Sequence, residues 1–138
     1  MRKMTEITKL KKLSFALACI LFLALIALPA FAHHGTAGYD LDKVVTVTGT
    51  VEEFDWSNPH AVVHITAKND KGEPESWTIE LGAPGIMARS GWSKSSMKAG
   101  DEVIAETHPA KNGVPSGLSA TSSILLKFIV NGQALPSR

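Results

Sequence analysis

The sequence predicts a small all-β domain, a barrel of five to six strands with one short helix between the third and fourth. Three observations predict it. Runs of strict two-residue alternation recur along the second half of the chain, Gly, Pro and Asn clusters separate them, and the helical period surfaces only once, briefly. A small β-sandwich built from the same elements is the alternative.

The first strand begins at Val44. Val45, Val47, Gly49 and Val51 share one face and Thr46, Thr48 and Thr50 the other, with Gly49 expected to mark a bulge or bend where the strand wraps a barrel. Trp56, Ser57, Asn58 and Pro59 supply turn chemistry. From His60 to Ala67 the alternation resumes, with Ala61, Val63, Ile65 and Ala67 inward and His60, Val62, His64 and Thr66 outward. A polar hairpin turn, Asn69 to Gly72, leads to a third strand whose Trp77, Ile79 and Leu81 face the core. Pro84 suits the first turn of a helix over Gly85 to Ser90 that Gly91 stops. A loop from Ser93 to Gly100 follows, with Asp101 and Glu102 as the turn into a strand that ends at His108. After the Pro- and Gly-rich segment Pro109 to Gly117, Leu118 to Val130 is a final strand expected to be bent or broken in two. This order of elements, in about 90 residues, is that of the oligonucleotide/oligosaccharide-binding fold.

Ahead of the barrel stand two segments of different character. Residues 1–32 have the anatomy of a secretory signal: Arg2, Lys3, Lys9, Lys11 and Lys12 against Glu6, then the apolar run Phe15 to Leu28, then Ala30 and Ala32 as a small-residue cleavage site. The apolar run of 14 residues falls short of the roughly 20 that cross a bilayer, and Pro29 breaks it, so no stable membrane anchor is expected after cleavage. Residues 33–43 read as an extended segment, 44–131 as the barrel and 132–138 as a flexible tail. Cys19, the single cysteine, leaves with the signal, so the mature chain has neither a disulfide nor a thiolate. Cleavage also removes five of fourteen basic residues and one of thirteen acidic ones. The remaining 106 residues carry nine against twelve, a net charge of −3, which argues against a nucleic-acid partner.

All five histidines, His33, His34, His60, His64 and His108, lie beyond the cleavage site. Without cysteine, a transition-metal site has to use imidazole, carboxylate or the terminal amine. Cleavage after Ala32 makes His33 the first residue, whose amine and ring together chelate one ion in the manner that suits copper. Cleavage after Ala30 places His33 third instead, the amino-terminal copper and nickel spacing. His60 and His64 are four apart, which along a strand is about 13 Å, so they do not share an ion. In the expected fold the loop after strand one and the loop after strand four frame one binding face, bringing His60 and His108 toward each other. The ten residues ahead of Lys43 reach roughly 33 Å when extended, enough to approach that rim. The candidate metal set is therefore His33, His60 and His108, with Trp56, Asn58 and Trp92 as candidate rim contacts. Each also has a plain structural reading as a turn, a strand end or core packing.

Nucleophilic catalysis finds little footing. Ser95 and Lys98 match a Ser-x-x-Lys pattern, but its companion motifs are missing and the chain is too short for that fold.

Taken in order, Ala32-His33-His34 with Tyr39-Asp40, Trp56-Ser57-Asn58-Pro59-His60, Trp77, Ala88 to Trp92, Lys98 to Asp101 and His108 to Gly113 resemble a family of small exported bacterial proteins known only as a domain of unknown function. The resemblance covers nearly the whole mature chain and implies a signal peptide and a small β-rich domain, with no established activity. The family's Lys-Pro-Gly-Asp stands here as Lys98-Ala99-Gly100-Asp101. The expectation is an exported, periplasmic barrel that binds copper, or less readily zinc or nickel, at its rim. A metal-free module that meets a small ligand or a periplasmic protein is the alternative, and a copper enzyme is the third reading.

Overall fold

A computed structural model describes residues 35–121 and 125–137. The expectations for the leader and for His33 and His34 lie outside the described residues.

The chain from Gly35 onward folds as one unit. Its strands are β1 (Val45–Asp55), β2 (Val62–Lys68), β3 (Pro74–Glu80), β4 (Glu102–Pro109), β5 (Ser116–Leu118), β6 (Phe128–Val130) and β7 (Gln133–Ala134). One helix, α1 (Pro84–Arg89), lies between β3 and β4. The order β1-β2-β3-β5-β4, with β4 returning to β1, closes a five-stranded barrel in which only β3 and β5 run parallel. That is the connectivity of the oligonucleotide/oligosaccharide-binding barrel. Closure through the β1–β4 pairing excludes the sandwich alternative, because the strands among the described residues form one sheet.

Closure depends on β1 serving two neighbours. Its first half pairs with β4, from Val45 opposite Thr107 to Thr50 opposite Glu102, and its second half with β2, from Gly49 opposite Ala67 onward. Gly49 sits where the two pairings overlap. A Cβ there would lie 2.2 Å from the Thr66 carbonyl oxygen, so the glycine allows a close backbone approach. The bulge itself falls two residues later, between Val51 and Glu53. Inward alternation fills the barrel as expected, with Val51, Val63, Ile65, Ile79, Val103 and Phe128 fully buried. Pro84 opens α1, Met87 joins the core from it, and Gly91 at φ +94° ends it.

Of the last two stretches, one meets expectation and one differs. The segment from Leu118 to Val130 is indeed broken, giving β5 and β6. The last residues, expected to be loose, are instead tied down: β7 pairs with β6, Leu135 packs on the core, and the Pro136 carbonyl accepts a bond from Trp92. The cause is a local turn. Asn131 and Gly132 both have positive φ, the two-residue hairpin turn that Asn-Gly favours.

Asp101 locks the start of β4 to this hairpin. Its carboxylate accepts from Lys98 Nζ at 2.7 Å, from the Lys98 backbone N–H at 2.9 Å and from Asn131 Nδ2 at 3.0 Å, while the Asn131 side-chain oxygen accepts from the Glu102 N–H. Bonding to Lys98 above all, then to Asn131, lowers the Asp101 pKa from 3.8 to about 2. A depressed carboxylate stabilises the fold only while ionised. Its contribution is therefore complete above the unfolded value of 3.8 and lost as pH falls through about 2. Acid titration followed by circular dichroism should show Asp101→Asn less stable than the parent at neutral pH, the gap narrowing across that window. A gap independent of pH would assign the effect to something other than this carboxylate.

Candidate functional site

Register places the candidate residues on one face. His108 of β4 lies opposite Leu118 of β5, Leu118 beside Glu80 of β3, and Glu80 opposite Val62 of β2. Directly paired residues share a face, and the neighbouring row through Val63, Ile79 and Gly117 points into the barrel. The row of His108, Leu118, Glu80 and Val62 therefore runs across the outer surface. With strands about 4.8 Å apart, the backbones of Glu80 and His108 are about 10 Å from each other.

His60 precedes β2 by two residues and turns onto the same row, where its Nδ1 pairs with Glu80 Oε1. The imidazole is half exposed and the carboxylate less so. The other Glu80 oxygen, Oε2, accepts from the Tyr39 hydroxyl at 3.5 Å. His108, on the same outer row, is buried, and its Nδ1 donates to the Lys43 carbonyl at 2.8 Å. Barrel connectivity thus brings His60 and His108 to the same end of one face, with Glu80 and Leu118 between them.

What buries His108 is the segment ahead of β1. Thr36–Gly38 form a 3-10 turn, Tyr39 bridges to Ala110, and the Asp40 N–H donates to the Pro109 carbonyl at 2.9 Å. The Lys111 N–H bonds Gly38 at 2.9 Å and its Nζ reaches the Ala37 carbonyl at 3.1 Å. So residues 35–43 form a strap pinned to the β4–β5 loop. The strap holds Tyr39 over the sheet face that this fold uses for ligands.

The other candidates part company. His64 lies one row along, half buried, with its Nδ1 at 3.1 Å from Thr78 Oγ1 across the strand pair. Trp56 is half buried and packs edge-on against Phe54 at 5.7 Å. Asn58 is exposed in the turn and makes no side-chain hydrogen bond among the described residues. Trp92 corrects the rim expectation: only 2% exposed, it meets Phe128 edge-on at 5.5 Å and donates through Nε1 to Pro136 at 2.7 Å. It is a core residue because the folded-back tail covers it. Glu80 and Tyr39 join the face from outside the candidate set that the sequence gives. Alternation puts Glu80 outward, but nothing in the local pattern tells that a phenol 41 positions earlier meets it.

Among the described residues no three His, Cys, Asp or Glu side chains are grouped closely enough to hold an ion. The face offers two imidazoles, each tied through Nδ1 to an acceptor, together with a carboxylate and a phenol. Fold and face together define a small closed β-barrel with a strapped, histidine-bearing outer surface. The chain belongs to DUF6152, a family of unknown function, whose model matches residues 20–120. No curated protein and no solved structure matches it.

Proposed function

We propose that the protein is exported and binds a transition metal, copper in preference to zinc or nickel, through His60 and His108 with His33 as a third donor. One observation carries the reading, the state of the two rings. A carbonyl only accepts, so His108 Nδ1 bears a proton toward Lys43, and in the neutral ring the lone pair is on Nε2. The Glu80 carboxylate imposes the same tautomer on neutral His60. An imidazole whose second nitrogen is held by a carboxylate or carbonyl is how proteins orient a metal ligand. Nitrogen-rich donor sets favour copper over the other divalent ions. His33 stands three residues ahead of the 3-10 turn at Thr36, a reach of at most about 11 Å from the strap, which supports a role for the terminal amine and ring. Export is supported by the basic start, apolar run and small-residue cleavage site of residues 1–32.

Mass spectrometry of the secreted protein should give His33 as first residue, and that protein should bind Cu(II) near stoichiometrically in a calorimetric titration. His60→Ala should weaken binding at least about tenfold, and Glu80→Gln, which leaves both rings in place, by about 10- to 100-fold. Parent-like affinity in both variants would refute the site. A melting temperature unmoved by added Cu(II) would instead favour a metal-free binding module, since a ligand of the folded state must raise its stability.

A further inference from the structure

A cleft opens where β1 leaves β2. From Thr48 backward β1 pairs with β4 alone, while β2 runs on with β3 into the hairpin turn at Asn69–Gly72. The concavity between them measures about 870 Å³, within the roughly 300–1,000 Å³ of small-ligand sites. Its floor holds buried Val47 and half-buried Trp77. The indole is fixed in one orientation, because its Nε1 donates to Glu75 Oε2 at 2.8 Å.

The walls are polar. Val51 donates its N–H toward β4, to the Asp101 carbonyl, so by strand alternation the backbone groups of Thr46 and Thr48 point the other way, into the cleft, where no strand pairs with them. Lys68 and Asp70 stand exposed at the rim, and neither side chain makes an ion pair or hydrogen bond among the described residues. Glu75 and Trp77 also line a second hollow of about 320 Å³ against the β4–β5 loop, so the indole lies between two adjoining depressions.

We propose that this cleft binds an uncharged oligosaccharide across Trp77. A fixed indole offers a flat apolar plate to the C–H face of a sugar ring. The unpaired strand edge and the rim of Lys68 and Asp70 supply the donors and acceptors that ring hydroxyls need. An anionic ligand meets Asp70 and Glu75, and an apolar one leaves the Thr46 and Thr48 backbone groups desolvated without partners. The paired hollows fit a chain of rings rather than one.

Maltohexaose, cellohexaose and chitohexaose, titrated into the mature protein by tryptophan fluorescence and calorimetry, test this. At least one should bind saturably at or below about 1 mM, with an affinity little changed between about 50 and 500 mM salt. Trp77→Ala should weaken it at least tenfold and Trp56→Ala should not. Because Trp77 packs on the core, Asp70→Ala provides the check that leaves folding alone: about threefold or more weaker at an unchanged melting temperature. Lack of saturation by all three sugars at about 10 mM overturns the proposal, as does parent-like affinity in Asp70→Ala. Binding of tryptic casein peptides in place of the sugars would overturn it in favour of strand addition to the β1 edge. His60→Ala should bind sugar like the parent, so this test and the copper test fail independently.

Discussion

Replacing Gly49 by alanine is expected to cost the fold about 3 kcal/mol or more. The added Cβ would stand 2.2 Å from the Thr66 carbonyl oxygen and 2.8 Å from its carbon, both backbone atoms with no rotamer to swing aside. Relief requires β2 to move away from β1, and Gly49 is where β1 passes from β4 to β2. The strain therefore acts on the pairing that closes the barrel. For a domain of about 100 residues such a loss lowers the melting temperature by roughly 15 °C. Gly85→Ala is the control: nothing lies within 4 Å of its Cβ position in α1, and an alanine in a helix should leave stability equal or raise it by up to about 1 kcal/mol. Urea unfolding of the two variants beside the parent decides the matter. A Gly49→Ala midpoint within error of the parent would show that the barrel yields more easily than its geometry implies.

Trp92→Ala should cost about 3–5 kcal/mol, the range for emptying a buried aromatic site. That is a large share of the roughly 5–15 kcal/mol of a whole domain. Trp92 holds two parts together, packing on Phe128 of β6 and donating to Pro136 beyond β7. Its removal should therefore free the C-terminal hairpin as well as loosen the core. Hydrogen exchange at Leu135, whose N–H bonds the Phe128 carbonyl at 2.8 Å, reads that release. Trp92→Phe retains a ring but loses the N–H, so about 1 kcal/mol of loss is expected. Unchanged exchange at Leu135 in the alanine variant would show that the hairpin stands without the indole.

The elements of the barrel were readable in the sequence because each has a local cause. Two-residue alternation marks β1 to β4, Pro84 and Gly91 bracket α1, and the Pro- and Gly-rich stretch after His108 ends β4. Even the C-terminal hairpin carries its signature in Asn131 and Gly132, between which the expected boundary of barrel and tail falls. The site was readable only in part. Strand order argued that the ends of β4 and the first loop converge, and the register sets His60 and His108 on one end of one face. Burial could not be read in the same way: alternation points Trp77 to the core and Trp92 is expected at the rim, yet Trp92 is sealed by the tail and Trp77 is half-buried on a cleft.

The amino-acid sequence by itself determined the barrel class, the order of its main elements and the set of imidazoles, since these follow from side-chain period, turn chemistry and composition. The tertiary structure alone decided that Glu80 joins His60 to Tyr39, that Lys43 holds His108, and that β1 parts from β2 to open a cleft beside Trp77. The physical reason is range. Periodicity and turns act over a few residues and leave a local mark, whereas cross-strand contacts arise from register, which depends on how the whole sheet closes.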